Sequence, residues 1–205
     1  LNPIKREIWK SIINNKLGIC DTKIFARKCT INKVDNKTAK QFLLNNHLQG
    51  HTPSYVNIGL YYENELVSLM TFGKSRYNKN YQYELIRFCN KINTLVTGGA
   101  SKIFSHFNKT YNPESIISYA DLRYSNGALY EKLGFNKLKN STPNYFYFHK
   151  SDTSKLTNRV QFQKHKLKNK LDIYNSELTE YQNMLNNGYD RIWDCGNGVY
   201  EYINS

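Results

Sequence analysis

The chain has 205 residues, 40% of them hydrophobic and 14% aromatic, enough for one packed domain with an appendage. Its 29 Lys and Arg outnumber 16 Asp and Glu, and the net charge of +13 favours an acidic partner, nucleic acid ahead of a membrane surface. No run of roughly 18 apolar residues occurs, no stretch reads as a secretory signal, and Cys20, Cys29, Cys89 and Cys195 form neither a C-x-x-C pair nor a zinc-type spacing with histidine. These features exclude a membrane span, a disulfide framework and a structural metal, and they make a reducing cytoplasm the expected setting.

Residues 1–18 read as a short basic helix, with Ile4, Ile8, Ile12 and Ile13 near helical spacing. The opening on Leu1 rather than Met suggests a piece of something longer. Residues 23–31 (KIFARKCTI) read as a strand carrying Arg27 and Lys28. Thr38 and Gln41 have capping-box spacing, which predicts a helix from Ala39 towards Asn46, followed by a polar loop with His47. Residues 55–62 and 65–72 predict two strands joined tightly at Glu63-Asn64. Residues 83–89 give another strand, in which Arg87 interrupts an apolar run and needs a partner. A glycine turn over 95–99 leads into a helix over 100–108. Residues 115–120 form a short apolar strand, buried if the sheet is covered on both faces. A helix over 125–133 closes at Gly134, and residues 135–138 and 145–148 are two last strands. Hairpins mixed with strand–helix–strand crossovers predict an α/β fold with a mixed central sheet flanked by helices.

Beyond Lys150 the character changes. Residues 154–170 carry Lys155, Arg159, Lys164, Lys166, Lys168 and Lys170 with no acid. Thr179 and Gln182 form a second capping box, opening a helix that stops near Asn187-Gly188, and residues 191–202 read as a hairpin turning at Gly196-Asn197-Gly198. The expected organisation is an N-terminal helix or linker (1–22), a core (23–150) and a basic helical and hairpin C-terminal extension (151–205). If the partner is DNA, Arg27, Lys28, Lys74, Arg76, Lys102 and Arg123, with Lys164, Lys166 and Lys168, are expected along one face on the phosphates.

Three features resemble the GNAT superfamily of acyl-CoA N-acyltransferases over roughly residues 25–149. Tyr130-Glu131-Lys132-Leu133-Gly134-Phe135, preceded by Asn126 and Ala128, looks like that family's helix-to-strand signature. Thr97-Gly98-Gly99-Ala100 opens a helix directly after a strand, where free N–H groups and the helix dipole attract phosphate. The element order is the third. The resemblance implies a GNAT-like fold, acetyl-CoA or a related acyl donor held by Gly98, Gly99, Ala100 and Ser101 with Arg87, and no metal. Leu95 departs from the pattern, which usually has Gln or Arg there.

Within the superfamily the chain is similar to phage Mom-type DNA-modification proteins. The likeness runs through Glu84-Leu85-Ile86-Arg87, Ser101, Ser118-Tyr119-Ala120-Asp121, Gly127 and Tyr130. It implies acyl-type transfer to an adenine amine, with Asp121 or His47 as base, Tyr130 protonating the leaving thiolate, and Ser101 on the acyl carbonyl or a phosphate. Tyr62, Phe72 and Tyr124 are the aromatics expected to stack on an extruded base. A second resemblance, to the region after the nuclease core of phage Vsr-like homing endonucleases, rests on the opening LNPIKREIWKS and on FARKC, NHLQG, MTFGK and YDRIWDCG. It implies a non-catalytic DNA-recognition module with a nuclease domain upstream.

Overall fold

The computed structural model describes residues 3–204, so the expected helix start at Leu1 and Asn2 lies outside the described residues. In chain order the elements are α1 (Pro3–Lys16), β1 (Thr22–Phe25), a 3-10 turn (Ala26–Lys28), β2 (Thr30–Lys33), α2 (Asn36–Asn46), β3 (Val56–Tyr62), β4 (Glu65–Gly73), β5 (Tyr83–Asn90), β6 (Thr94–Thr97), α3 (Gly99–Tyr111), β7 (Ser115–Asp121), α4 (Ala128–Lys132), β8 (Asn136–Asn140) and β9 (Tyr145–His149). There follow β10 (Asp152–Asn158), a 3-10 turn (Arg159–Phe162), α5 (Lys164–Leu167), α6 (Glu180–Asn186), β11 (Tyr189–Trp193) and β12 (Asn197–Ile203).

These elements fall into two compact units that do not follow chain order. The first takes in the described residues up to Tyr119, then Gly127–Lys139, then those from Val199 onward; the second holds Ala120–Asn126 and Asn140–Gly198. The composition shift at Lys150 lies inside the second unit, and α1 falls within the first. Charge divides unevenly too. The first unit has 20 Lys and Arg against 9 Asp and Glu, the second 9 against 7, so the basic character sits mostly in the first.

The first unit is built on a sheet ordered β2-β3-β4-β5-β7-β12-β8. Glu63 and Asn64 take φ 50° and 65°, as a two-residue hairpin turn requires, and this sets the β3–β4 register. β2 through β5 pair antiparallel, whereas β5 and β7 run parallel. β4 is buried almost throughout because both of its faces are covered. Leu69 packs with Val34, Ala39, Phe42 and Leu43, the last three from α2, and Phe72 stacks on Phe107 of α3 with ring centres 3.6 Å apart. Ile8 is the buried isoleucine of α1; Ile4 and Ile13 face solvent. Ser11 of α1 accepts the Asn93 N–H at 2.8 Å, which anchors the helix beside β6.

Three expectations change here. The strand over 23–31 is broken by the 3-10 turn, so that β1 pairs with β6 and β2 with β3. α2 starts at Asn36, because the Asp35 carboxylate accepts the Lys37 and Thr38 N–H groups and caps the helix before Thr38 can. The helix over 125–133 shortens to α4. Gly127 adopts φ +86° against the Tyr200 phenol, and a Cβ there would stand 1.8 Å from the Tyr200 oxygen.

The second unit has an antiparallel sheet ordered β10-β9-β11. Tyr147, Phe162, Leu167 and Met184 form its core. The Thr179–Gln182 capping box forms as expected at the start of α6. Tyr145 and Tyr147 donate to the Glu180 carboxylate at 2.9 and 3.0 Å. Residues 191–202 do not form the expected hairpin. β11 pairs with β9, while β12 joins the first unit's sheet between β7 and β8, so a long-range partner overrides the local glycine turn.

Candidate functional site

The glycine turn is built as a phosphate site would be. Gly98 takes the left-handed conformation, φ 78°, and delivers the chain from β6 into α3. Gly99 is buried, and a Cβ on it would press to 3.0 Å from the Val96 side chain. No side chain caps α3 and no acid occupies its first turn, so the positive end of the helix is left uncompensated at Gly99, Ala100 and exposed Ser101. Leu95 pairs with Lys23 in the β6–β1 ladder, which gives this departure from the family pattern a strand role. Lys102 is turned to structure rather than outward. Its ammonium donates to the carbonyls of Ala26 (2.9 Å) and Cys29 (2.6 Å), tying α3 to the 3-10 turn.

A second feature lies along β5. Its parallel ladder with β7 is confined to Tyr83↔Ile116, Glu84↔Ile117 and Leu85↔Ser118, although β5 continues to Asn90. Past Leu85 and Ser118 no residue of β5 is paired with β7 among the described residues. Arg87 stands in this stretch. Half-buried, it donates to the Gly50 carbonyl (3.2 Å), the Thr52 hydroxyl (3.1 Å) and the Ile86 carbonyl (2.9 Å). Among the described residues it forms no ion pair. Burial, and next the Arg76 charge, hold its pKa below the usual guanidinium value. A guanidinium removed from water without a carboxylate favours an incoming anion or a developing oxyanion.

His47 and Tyr130 lie within the field of Arg87. Burial, then the Arg87 charge, lowers the His47 pKa from 6.5 to about 4. Its Nδ1 accepts the Gln49 N–H at 3.1 Å, which leaves the proton on Nε2. The imidazole is therefore a neutral donor, and its expected role as a base is corrected. Burial raises the Tyr130 pKa most; the Ser118 hydroxyl within hydrogen-bonding reach and the Arg87 charge oppose it. Its ring stacks on Tyr200 at 5.0 Å and meets Phe135 edge-on at 5.7 Å. Nearby, Glu84 is 1% exposed and accepts the Arg76 backbone N–H (2.9 Å) and guanidinium Nε (3.0 Å).

Asp121 does not stand as the expected general base. Arg123 grips its carboxylate with Nε at 3.0 Å and Nη2 at 2.6 Å, and adds its backbone N–H at 3.1 Å. A carboxylate held this way is stabilised as an anion, which opposes taking a proton. Phe72 is likewise corrected as a base-stacking residue, because it is fully buried against Phe107. Tyr124 is more exposed, with the Arg123 guanidinium 4.9 Å over its ring, and Tyr62 is half-buried with its hydroxyl towards Glu63.

Of the residues expected on phosphates, Arg27, Lys28, Lys74, Lys164 and Lys168 are exposed. Arg76 and Arg123 are paired with carboxylates, and Lys166 is held by the Val160 carbonyl and Gln163. Arg27, Lys28, Lys74, Arg76 and Lys102 belong to the first unit and the others to the second. Sequence reasoning missed the Arg76–Glu84 pair and the reach of Arg87 to Thr52. An acid inside the apolar run YELIRF was the one signal that could have found the pair. Tyr200 under Gly127 carried no local signal. No helix among the described residues is long and apolar enough to cross a membrane.

No protein-family model matches the chain, and no curated protein does. Solved structures similar to it include an acetyltransferase from Bacillus subtilis in complex with CoA, at 15% identity and TM-score 0.47, covering 87% of this chain and 100% of that one. Another is a putative acetyltransferase from Salmonella typhimurium with its cofactor acetyl-CoA, at 15% identity and TM-score 0.44, covering 57% and 84%. A third is the ribosomal-protein-S18-alanine N-acetyltransferase from Escherichia coli, at 11% identity and TM-score 0.47, covering 86% and 94%. The fold itself is mixed α/β, with a central, mostly antiparallel sheet flanked by helices.

Proposed function

We propose that the first unit transfers an acyl group from a CoA-type thioester to a neutral amine on DNA, in line with the resemblance to phage Mom-type proteins, which place an acyl-type group on an adenine amine. The observation that carries this reading is the short β5–β7 ladder, with Arg87, His47 and Tyr130 gathered where it stops. An extended donor arm would hydrogen-bond to the strand edges past this ladder, and its pyrophosphate would take the start of α3 at Gly98–Ser101. The amine nitrogen attacks the thioester carbonyl, a C–N bond forms and the C–S bond breaks. Arg87 and the His47 Nε2–H are the donors for the charge that builds on the carbonyl oxygen. The thiolate leaves with the bonding pair and takes a proton from Tyr130, and the proton lost by the amine passes through water to restore the Tyr130 hydroxyl. Net positive charge in the first unit supports an anionic polymer as the acceptor's carrier.

The test is mass spectrometry of DNA nucleosides after incubation with DNA and acyl-CoA donors. One base should gain the acyl mass. Arg87→Ala should abolish the product and Tyr130→Phe should slow it, while both variants still bind DNA. One observation favours a second reading, a DNA-recognition module that transfers nothing, of the kind expected in a homing endonuclease: Asp121 is committed to Arg123. In that case no adduct forms with any donor and CoA does not bind, yet DNA binding persists. DNA binding indifferent to salt would remove both readings.

A further inference from the structure

A cleft of about 390 Å3 opens in the first unit between the loop entering β3 and the end of β4. Its walls include Thr52, Tyr55, Lys74, Ser75, Arg76 and Lys79, and no carboxylate lines it. Glu84 offsets Arg76 from behind, which leaves the two lysines as unbalanced charge: neither is in an ion pair among the described residues. Lys79 donates to the Ser75 carbonyl at 2.8 Å, and Lys74 stands 6.0 Å over the Tyr55 ring. Ser75 is 3% exposed, and its hydroxyl has no hydrogen-bond partner among the described residues. Such an orphan is costly unless something else supplies the partner. Tyr55 is 71% exposed and presents a ring at the cleft. Thr52 takes the Arg87 guanidinium, so the cleft adjoins the residues assigned to transfer.

We propose that this cleft is a nucleotide subsite, in which Lys74, Lys79 and Ser75 hold a phosphate and Tyr55 stacks on the attached base. Two lysines and an unpartnered hydroxyl suit an oxyanion with several acceptor oxygens. An aromatic ring beside a phosphate site suits a nucleotide better than a bare anion, because every base has a face to stack. The assignment rests on the transfer reading only for what lies next along the chain; phosphate binding here needs no acyl donor.

The test is calorimetric titration of the full chain with thymidine 5′-monophosphate and with inorganic phosphate, plus anisotropy of a labelled single-stranded oligonucleotide. The paired change Lys74→Ala/Lys79→Ala should weaken oligonucleotide binding at least about tenfold and flatten its log–log salt slope by about 1.4. Ser75→Ala should weaken binding several-fold without lowering the melting temperature, since it removes a hydroxyl that lacks a partner. Tyr55→Ala should weaken thymidine monophosphate and spare inorganic phosphate. The control Lys137→Ala/Lys139→Ala, on exposed residues of β8 outside the cleft, should leave mononucleotide affinity unchanged. Mononucleotide binding with these sensitivities makes a terminal phosphate sufficient; oligonucleotide binding alone makes the phosphodiester chain the source. Binding of all three probes unchanged within twofold in the lysine and serine variants would overturn the proposal, as would the absence of binding by any of them. A parallel titration with CoA separates the two ideas. CoA that fails to bind while thymidine monophosphate still depends on Lys74 and Lys79 removes the transferase and keeps the subsite, and the converse keeps only the transferase.

Discussion

Acidification from pH 7 to pH 5 should cost the first unit stability through one imidazole. In the folded protein His47 has its pKa lowered from 6.5 to about 4, by burial first and by the Arg87 charge second. The unfolded chain keeps the ordinary value, so between these two pH values it binds a proton that the folded chain does not. Stability therefore rises with pH across this window and is lost as pH falls through it. The full shift corresponds to about 3 kcal/mol, and about 2 kcal/mol of it is already lost at pH 5. Urea unfolding of the native chain and of His47→Gln at both pH values isolates the effect. Glutamine keeps an acceptor for the Gln49 N–H but cannot be charged, and the carboxylates titrate alike in both proteins. The native chain should lose about 2 kcal/mol more than the variant. Equal losses in the two proteins would refute the assignment of a half-buried, neutral His47.

Other consequences follow from the packing. Arg76→Ala leaves the Glu84 carboxylate, 1% exposed, with a single backbone donor. With Arg76 itself about a third exposed, the cost should be about 2–3 kcal/mol by urea unfolding, and Glu84→Gln in that background should recover part of it. Gly127→Ala places a Cβ 1.8 Å from the Tyr200 oxygen at φ +86°, and should lower stability by at least about 2 kcal/mol. Tyr200→Phe should rescue it only in part, because the ring carbon beneath the oxygen stands at 2.3 Å. Phe72→Ala empties the stack on Phe107 and should cost about 3–5 kcal/mol, with no selective effect on DNA binding.

What could be read from the sequence was local. The Glu63-Asn64 hairpin, the Thr179–Gln182 capping box and the Gly98 turn each need only neighbouring residues, and each forms where expected. α2 began three residues early because two capping signals overlap and Asp35 reaches the helix first. The false hairpin over 191–202 has the same origin. Gly196-Asn197-Gly198 is a good turn sequence, but β12 finds its partners in β7 and β8, more than fifty residues earlier. The candidate site divides along this line. Arg87 stood out as a charge in an apolar strand, whereas its contacts to Gly50 and Thr52 span 37 and 35 residues. Asp121 kept its position at the end of β7 but lost its expected chemistry to a guanidinium only two residues away.

The pairing of the carboxylates bears on which amine could be an acceptor. Glu84 is bound by Arg76 and Asp121 by Arg123, and His47 carries its proton on the outer nitrogen. None of the three is placed to deprotonate an ammonium. A lysine-type amine, with a pKa near 10.4, is neutral in only about one molecule in 2,500 at pH 7, a handicap of about 4.6 kcal/mol before any chemistry begins. The positive field of the first unit also repels the ammonium form of such an amine instead of concentrating it. A nucleobase amine avoids it: it is neutral on arrival, sits on a polymer the field attracts, and gives up its proton only after the C–N bond has begun to form. Its weakness as a nucleophile then falls to Arg87 and the His47 donor to offset by stabilising the carbonyl oxygen. Acyl transfer to lysine or to a polyamine in preference to DNA at pH 7 would therefore contradict this electrostatic assignment even if transferase activity were found.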